Sequence, residues 1–600
     1  MKTLQRMIGV MLVLSIAVCF APAVWAADSA DTGKDLPVLK LVPEDALAIV
    51  LINHLDKADE QIGKLTQEMQ VPAPPGLLPM LKAMAGIQEG FDDHGSALLA
   101  LMPGSAADSA PVAVIFVPVN DYKKFIAQFH PADASAEIAE VNIMGRPHVV
   151  AHKEVFAVLA HTSDKDTLKK VLDSTRSVAP VIASLDDWIK GQAISFVATP
   201  TGVTRGVSVA RKAVEQMKAV LANAKDPSMK MAAGNMGIYD GFLDAAEKEV
   251  SAFAVGMHVD HDGGFHEDIR TVFVAGGSWS STASSLPVPQ GDRLACLPGG
   301  PYMLAFDGAM PKSFSKGMLN MSVGAINNMI KAGGGKELTE EQTKQLDDLM
   351  EKSMAGLRSM SMVMGSPKPG GSLYSNMAAV MKVNDAKQYM ADYQEAMEKM
   401  SGILNSTGVQ LPFIQEIKKV KINDADGLEL TMDMSAMLKN MPKNPGSSQM
   451  LKLMFGSEGK MKAFIVPIDE TTVAFSYINA DGIARVKAAC QNPQTSLAAD
   501  ADIAQTAKLL PAGAQWVGYL SPKGLVDFVS GFVFGMAPPG AAMPALPAFP
   551  QTPPIGFAAE ASAKALDVQI VIPGAAMKGV GTYVTQMHQM MAPTRQPQIR

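Results

Sequence analysis

The sequence predicts an α+β protein made of two tandem homologous halves. Each half reads as antiparallel sheet with capped helices on one face. Three observations carry this. Short apolar strands alternate with helices that begin at Asn or Asp caps. Many strands come as neighbours joined by short turns, which favours antiparallel pairing over the alternative, a parallel α/β sheet. Six short segments in residues 35–275 recur, in the same order, in residues 291–600.

The chain begins with an export signal. Lys2 and Arg6 form a positive start, Met7 to Phe20 is an apolar run, and Val24-Trp25-Ala26 ends in small residues, so cleavage is expected after Ala26. The run is too short to span a bilayer comfortably. Cys19 follows Val18, a poor residue to stand before a lipidated cysteine. No later stretch reads as a span, since Gly524 to Met536 carries Asp527 and stops before Pro538. The expected product is exported, periplasmic or extracellular.

The repeats order the remainder. Val42-Pro43-Glu44 feeds the strand after Ala46, as Leu297-Pro298-Gly299 feeds the strand at Tyr302. Met80 to Ile87 resembles Met350 to Leu357, each a helix end near a glycine cap. Strands follow at Ala97 to Met102 and Met360 to Met364. Val119-Asn120-Asp121 matches Val383-Asn384-Asp385, each predicted to cap a helix whose aromatic, Phe125 or Tyr389, faces the core. Val155 to Asp164 matches Val473 to Asp481, and Thr199-Pro200-Thr201-Gly202 matches Ser521-Pro522-Lys523-Gly524. Phe253-Ala254-Val255 resembles Phe557-Ala558-Ala559. The spacing between partners jumps after the third match, placing an insertion in the second half near 442–460. The Ser- and Pro-rich stretch 276–290 reads as a linker and 535–554 as a Pro/Ala-rich loop.

Composition excludes several classes. Apolar residues make up 48% and charged residues 18%, which is globular rather than disordered. The net charge is −7, and the signal carries cations but no acids, so the mature chain is more acidic still and lacks a nucleic-acid footprint. Only Cys296 and Cys490 remain after cleavage. An oxidising compartment permits a bridge, and two free thiols satisfy the sequence equally.

Few motifs survive inspection. Ser313-Phe314-Ser315-Lys316 and Ser457-Glu458-Gly459-Lys460 have the S-x-x-K spacing, but the companion S-D-N and K-T-G motifs are missing. Gly333-Gly334-Gly335-Lys336 lacks phosphate-loop spacing, and Thr339 with Gln342 forms a capping box for the next helix. The chain has 41 methionines, and Met360, Met362 and Met364 alternate onto one strand face. Thioethers bind soft copper(I), but core filling is the simpler role.

One polar cluster stands out. Phe253, Val255, Met257 and Val259 alternate as a strand, and Asp262-Gly263-Gly264 suits a three-residue hairpin loop. That register pairs Val259 with Glu267, Met257 with Ile269 and Val255 with Thr271. It gathers His258, Asp260, His266 and Asp268 on one face, a donor set able to hold a divalent ion. The apolar face is expected to be buried and the histidine face solvated, without a tightly held metal. The matched strand carries Ala558, Glu560 and Ser562, so the repeat itself requires no ligands.

The Pro-x-x-Ala turn feeding a strand and then capped helices resembles the anatomy of uncharacterised large exported bacterial proteins of the planctomycete type. The resemblance implies no reaction, cofactor or site. The sequence thus favours an exported soluble binding or scaffold protein with no identifiable catalytic site. The alternatives are a metal-dependent hydrolase using the hairpin at 258–268, and a carrier of apolar ligands through Met-rich surfaces. The expected partner is a protein or an apolar small molecule.

Overall fold

The computed structural model describes residues 36–70, 76–106, 109–223, 236–289, 291–310, 326, 330, 335–366, 372, 374–408, 414–422, 424–433, 460–478, 480–536 and 546–591. The export signal, the Ser313–Lys316 motif, Ser457, Gly333, Gly334, most of the expected insertion and the centre of the Pro/Ala-rich loop lie outside the described residues.

Among the described residues the strands run in chain order as β1 (Ala48–Ile52), β2 (Ala97–Met102), β3 (Val112–Pro118), β4 (Ile138–Ile143), β5 (Arg146–Lys153), β6 (Phe156–His161), β7 (Ile194–Ala198), β8 (Val250–Val259), β9 (Phe265–Phe273), β10 (Tyr302–Ala309), β11 (Leu357–Gly365), β12 (Met377–Val383), β13 (Ile414–Ile422), β14 (Ala425–Asp433), β15 (Lys460–Pro467), β16 (Thr472–Tyr477), β17 (Trp516–Leu520), β18 (Ile555–Ala561) and β19 (Ala565–Ile572). The helices are α1 (Leu55–Glu68), α2 (Leu77–Ala85), α3 (Tyr122–Ala127), α4 (Lys165–Asp173), α5 (Asp186–Lys190), α6 (Pro200–Ala222), α7 (Gly237–Glu249), α8 (Ser278–Ser284), α9 (Glu340–Ser353), α10 (Ala386–Ser406), α11 (Asp481–Gln491), α12 (Ala501–Ala507), α13 (Pro522–Met536) and α14 (Gly574–Met591). The architecture is mixed α+β. Helix α8 lies within the stretch that reads as a linker. Among the described residues, no helix is long and apolar enough to cross a membrane.

The described residues form two compact units, and these differ from the two halves expected from the sequence. Unit 1 takes its described residues from 36–209, 245–280 and the late segment 564–582, and unit 2 from 210–244, 281–563 and 583–591. In unit 1 the sheet order is β4-β5-β6-β3-β2-β1-β7-β8-β9-β19, with every pairing antiparallel. In unit 2 it is β13-β14-β15-β16-β12-β11-β10-β17-β18, again all antiparallel. From β14 onward this repeats the order that starts at β4. Strand β13 is an addition at the edge.

Local chemistry recurs as well. The Asp121 carboxylate accepts from the Lys124 N–H and starts α3, and Asp385 accepts from the Gln388 N–H and starts α10. Phe125 and Tyr389 are buried at 1% and 4% exposure. Asp164 and Asp481 stand at the starts of α4 and α11, but neither side chain caps its helix. Thr199 accepts from the Gly202 N–H, and Ser521 accepts from the Gly524 N–H. Thr339 and Gln342 form the expected capping box of α9.

Helices cover both faces of the unit 1 sheet, rather than the single face the sequence predicts. Leu168 and Val171 of α4 and Ile189 of α5 pack with Ile49, Leu51, Phe116 and Val158. On the other face Phe125 and Ile126 of α3 pack with Val141, Val150 and Leu159. The reason lies in strands such as β6, whose first five residues are all buried. A strand apolar on both faces needs a layer on each, and each large side chain so buried contributes about 1.5–3 kcal/mol.

Cys296 and Cys490 are joined by a disulfide in unit 2. It ties the segment ahead of β10 to the end of α11, beside a bridge between Pro298 and Ser496. Pro43 and Ser177 form the corresponding bridge in unit 1, without a disulfide.

Candidate functional site

The hairpin of β8 and β9 forms, but its register differs from the expected one by two residues. Val259 faces Phe265, His258 faces His266 and Met257 faces Glu267. Asp260 causes the difference. Its Oδ1 accepts from the N–H groups of Asp262 and Gly264, at 2.9 and 2.8 Å, and its own N–H donates to the Gly264 carbonyl. The loop therefore closes on His261, Asp262 and Gly263, with Gly263 in the left-handed region at φ 76°.

A two-residue slip preserves facing. His258, Asp260, His266 and Asp268 still share one side. The burial is the reverse of the expectation. Ala252, Ala254 and Gly256 lie on the histidine side and are buried, while Phe253, Val255 and Met257 are only half-buried. Ala252 and Ala254 join the main core together with Val197 and Ile189. Val259 is buried from the opposite side by Leu65, Met69 and Met577. Alternation of large side chains therefore marks the strand without marking its deeper face.

The polar cluster is thus partly enclosed rather than solvated, with His266 only 6% exposed. The two imidazoles stack, their centroids 4.6 Å apart. His266 Nε2 lies 3.0 Å from Asp260 Oδ2, and His258 Nδ1 lies 3.3 Å from Asp268 Oδ2. Asp268 also accepts from Gln192 Nε2 and Gln569 Nε2, each at 3.0 Å. Burial opposes the charge on both acids. It is outweighed at Asp260 by His266 and the loop amides, and at Asp268 by His258 and the two glutamines, so both carboxyls fall below their usual range.

The four expected ligands meet, but as two separate His–Asp pairs with the rings lying flat on each other. Among the described residues, no three His, Cys, Asp or Glu side chains are grouped to hold a metal ion. The sequence reasoning missed Gln192 and Gln569, which reach the cluster from the turn before β7 and from β19. Comparison of the chain with protein-family models, curated proteins and solved structures finds no match.

A second buried polar group lies in unit 2. Asp307 of β10 is 5% exposed, accepts from Ser361 Oγ at 2.6 Å, and has Arg293 Nη1 at 3.7 Å from its Oδ2. Burial raises its carboxyl, against the opposing pull of Ser361 and Arg293. The matched positions of β1 and β2 in unit 1 hold Leu51 and Leu98. The methionine face of β11 also forms. Met360 faces Met381, and Met364 faces Met377. Met360 and Met381 pack with Tyr389 in a core of unit 2, while Met362 and Met364 are half-buried.

Proposed function

We propose that this is an exported binding or scaffold protein whose two halves are copies of one α+β unit. The observation that carries the non-catalytic reading is how the His–Asp cluster is used. Both carboxylates are engaged in holding structure: Asp260 closes the loop between β8 and β9 and meets His266, and Asp268 fastens β9 to the neighbouring β19 and to the turn at Gln192. Groups held this way organise a sheet rather than meet a substrate. The shared strand order and the repeated Asp121 and Asp385 caps support the duplication. The N-terminal sequence supports export.

The apolar-ligand reading has its own support. On α2 of unit 1, Met80, Leu81 and Met84 are 38%, 49% and 55% exposed, which places three apolar side chains on an open helix. Protein recovered from the export compartment, stripped of metal and reloaded with zinc or manganese, tests the proposal. It should turn over no ester, phosphoester or peptide substrate and should bind an apolar fluorescent probe less well when Leu81→Glu and Met84→Glu are introduced. Metal-dependent turnover that disappears in His266→Ala would overturn it in favour of a hydrolase.

A further inference from the structure

The outer edge of the unit 1 sheet is β4. Among the described residues it pairs with β5 alone. The strand at the same place in unit 2, β14, pairs with β15 on one side and carries β13 on the other. The two sheets can be aligned residue by residue. In unit 1 one row runs Phe196, Val50, Leu99, Ile115, Leu159, Val150, Ala139. In unit 2 the matching row runs Gly518, Phe306, Met362, Ala379, Phe475, Ile465, Leu428. Ala139, Glu140 and Val141 therefore occupy the places of Leu428, Glu429 and Leu430.

Glutamate stands at the same register position on both edges. In unit 2, Lys418 of β13 lies directly opposite Glu429, with Ile417 opposite Leu430; the Glu429 carboxylate itself meets Lys462 of β15, and Lys418 meets Glu416. In unit 1, Glu140 keeps 65% of its side-chain exposure, with one ion-pair contact at 3.4 Å to Lys165. Such exposed pairs are weak and easily exchanged.

The two edges are also guarded differently. Open strands invite pairing with other chains, and natural sheets blunt them with charged side chains, lysine above all, or with proline. Strand β13 carries Lys418, Lys419 and Lys421, whereas β4 reads Ile-Ala-Glu-Val-Asn-Ile, with Glu140 as its one charge and neither lysine nor proline. Its backbone N–H and C=O groups on the outer side form a row ready to extend the ladder.

We propose that β4 is a docking edge for an extended, lysine-bearing segment of a partner protein, which adds antiparallel to the sheet as β13 adds to β14. The lysine sits opposite Glu140 and an apolar residue sits opposite Val141. This rests on the binding-protein reading and names the chemistry of one partner.

A labelled peptide with the sequence of residues 414–422 is the probe, used with the whole mature chain. Fluorescence anisotropy should show saturable binding, and amide exchange should slow across residues 138–143. Glu140→Lys in the protein should weaken binding at least about tenfold, because like charges then face each other across the ladder. A peptide with Lys418→Glu should bind the native protein as poorly. Absence of saturation, or binding unchanged by Glu140→Lys, overturns the proposal. So does slowed exchange confined to 425–433, which would mean that the peptide merely replaces β13. If the apolar probe still binds while the peptide does not, the docking edge fails and the binding-protein reading stands.

Discussion

At the scale of single residues, the carboxylates with altered titration are the most informative. Asp260 and Asp268 have folded values below their unfolded ones. Their contribution is therefore complete above the ordinary aspartate range and is lost as pH falls through the depressed folded values. Chemical denaturation of the native protein should show falling stability across that acidic window, with a shallower fall for Asp260→Asn and Asp268→Asn. Replacing His266 by Ala leaves the Asp260 carboxylate half-enclosed without its imidazole partner, and should cost about 1–3 kcal/mol in the same assay. Asp307 has the opposite sign. Its folded value is raised, so its charge costs stability at neutral pH and nothing once protonated in both states. Asp307→Asn should therefore raise the melting temperature at pH 7, and the difference should vanish in acid. A raised melting temperature at every pH would contradict this account.

At the scale of elements, the repeated features make paired tests. A Cβ on Gly202 would stand 1.8 Å from the Leu47 carbonyl oxygen, and one on Gly524 would stand 1.9 Å from that of Tyr302. Backbone does not yield as a flexible side chain does, so Gly202→Ala and Gly524→Ala should each destabilise their own unit by about 1–3 kcal/mol. Calorimetry resolving two transitions would read this directly, one transition moving per variant. The disulfide provides the unpaired case. Cys490→Ser, or reduction, should destabilise unit 2 by about 2–5 kcal/mol and leave unit 1 unmoved. Much of this level was legible in the sequence, because caps and turns are local chemistry. Asp121, Asp385 and Thr339 announce themselves within a few residues, and so does the presence of the hairpin, though not its loop residues or register. The depth of each strand face was not legible. Whether Ala254 or Val255 meets the core depends on what β7 and α5 have already placed there, and no local pattern carries that information. Asp307 was equally hidden, since its strand reads as apolar and its partners Ser361 and Arg293 come from distant segments.

At the scale of the whole molecule, the mature chain is expected to begin at Ala27, which mass spectrometry of the exported protein would show; an intact Met1 there would remove the export reading. The expected linker at 276–290 does not coincide with the division into compact units, because unit 1 includes a strand from late in the chain, β19. It lies against β9 over eight residue pairs from Ala565 to Ile572 and supplies Gln569 to the His–Asp cluster. A ribosome makes that strand only after the whole of residues 281–563. The first part of the polypeptide to be synthesised is thus among the last to be finished, and until then β9 waits with an open ladder and Asp268 lacks one of its donors. A chain stopped at residue 563 should consequently show faster amide exchange at those amides of 265–273 that face β19, while those paired with β8 stay protected.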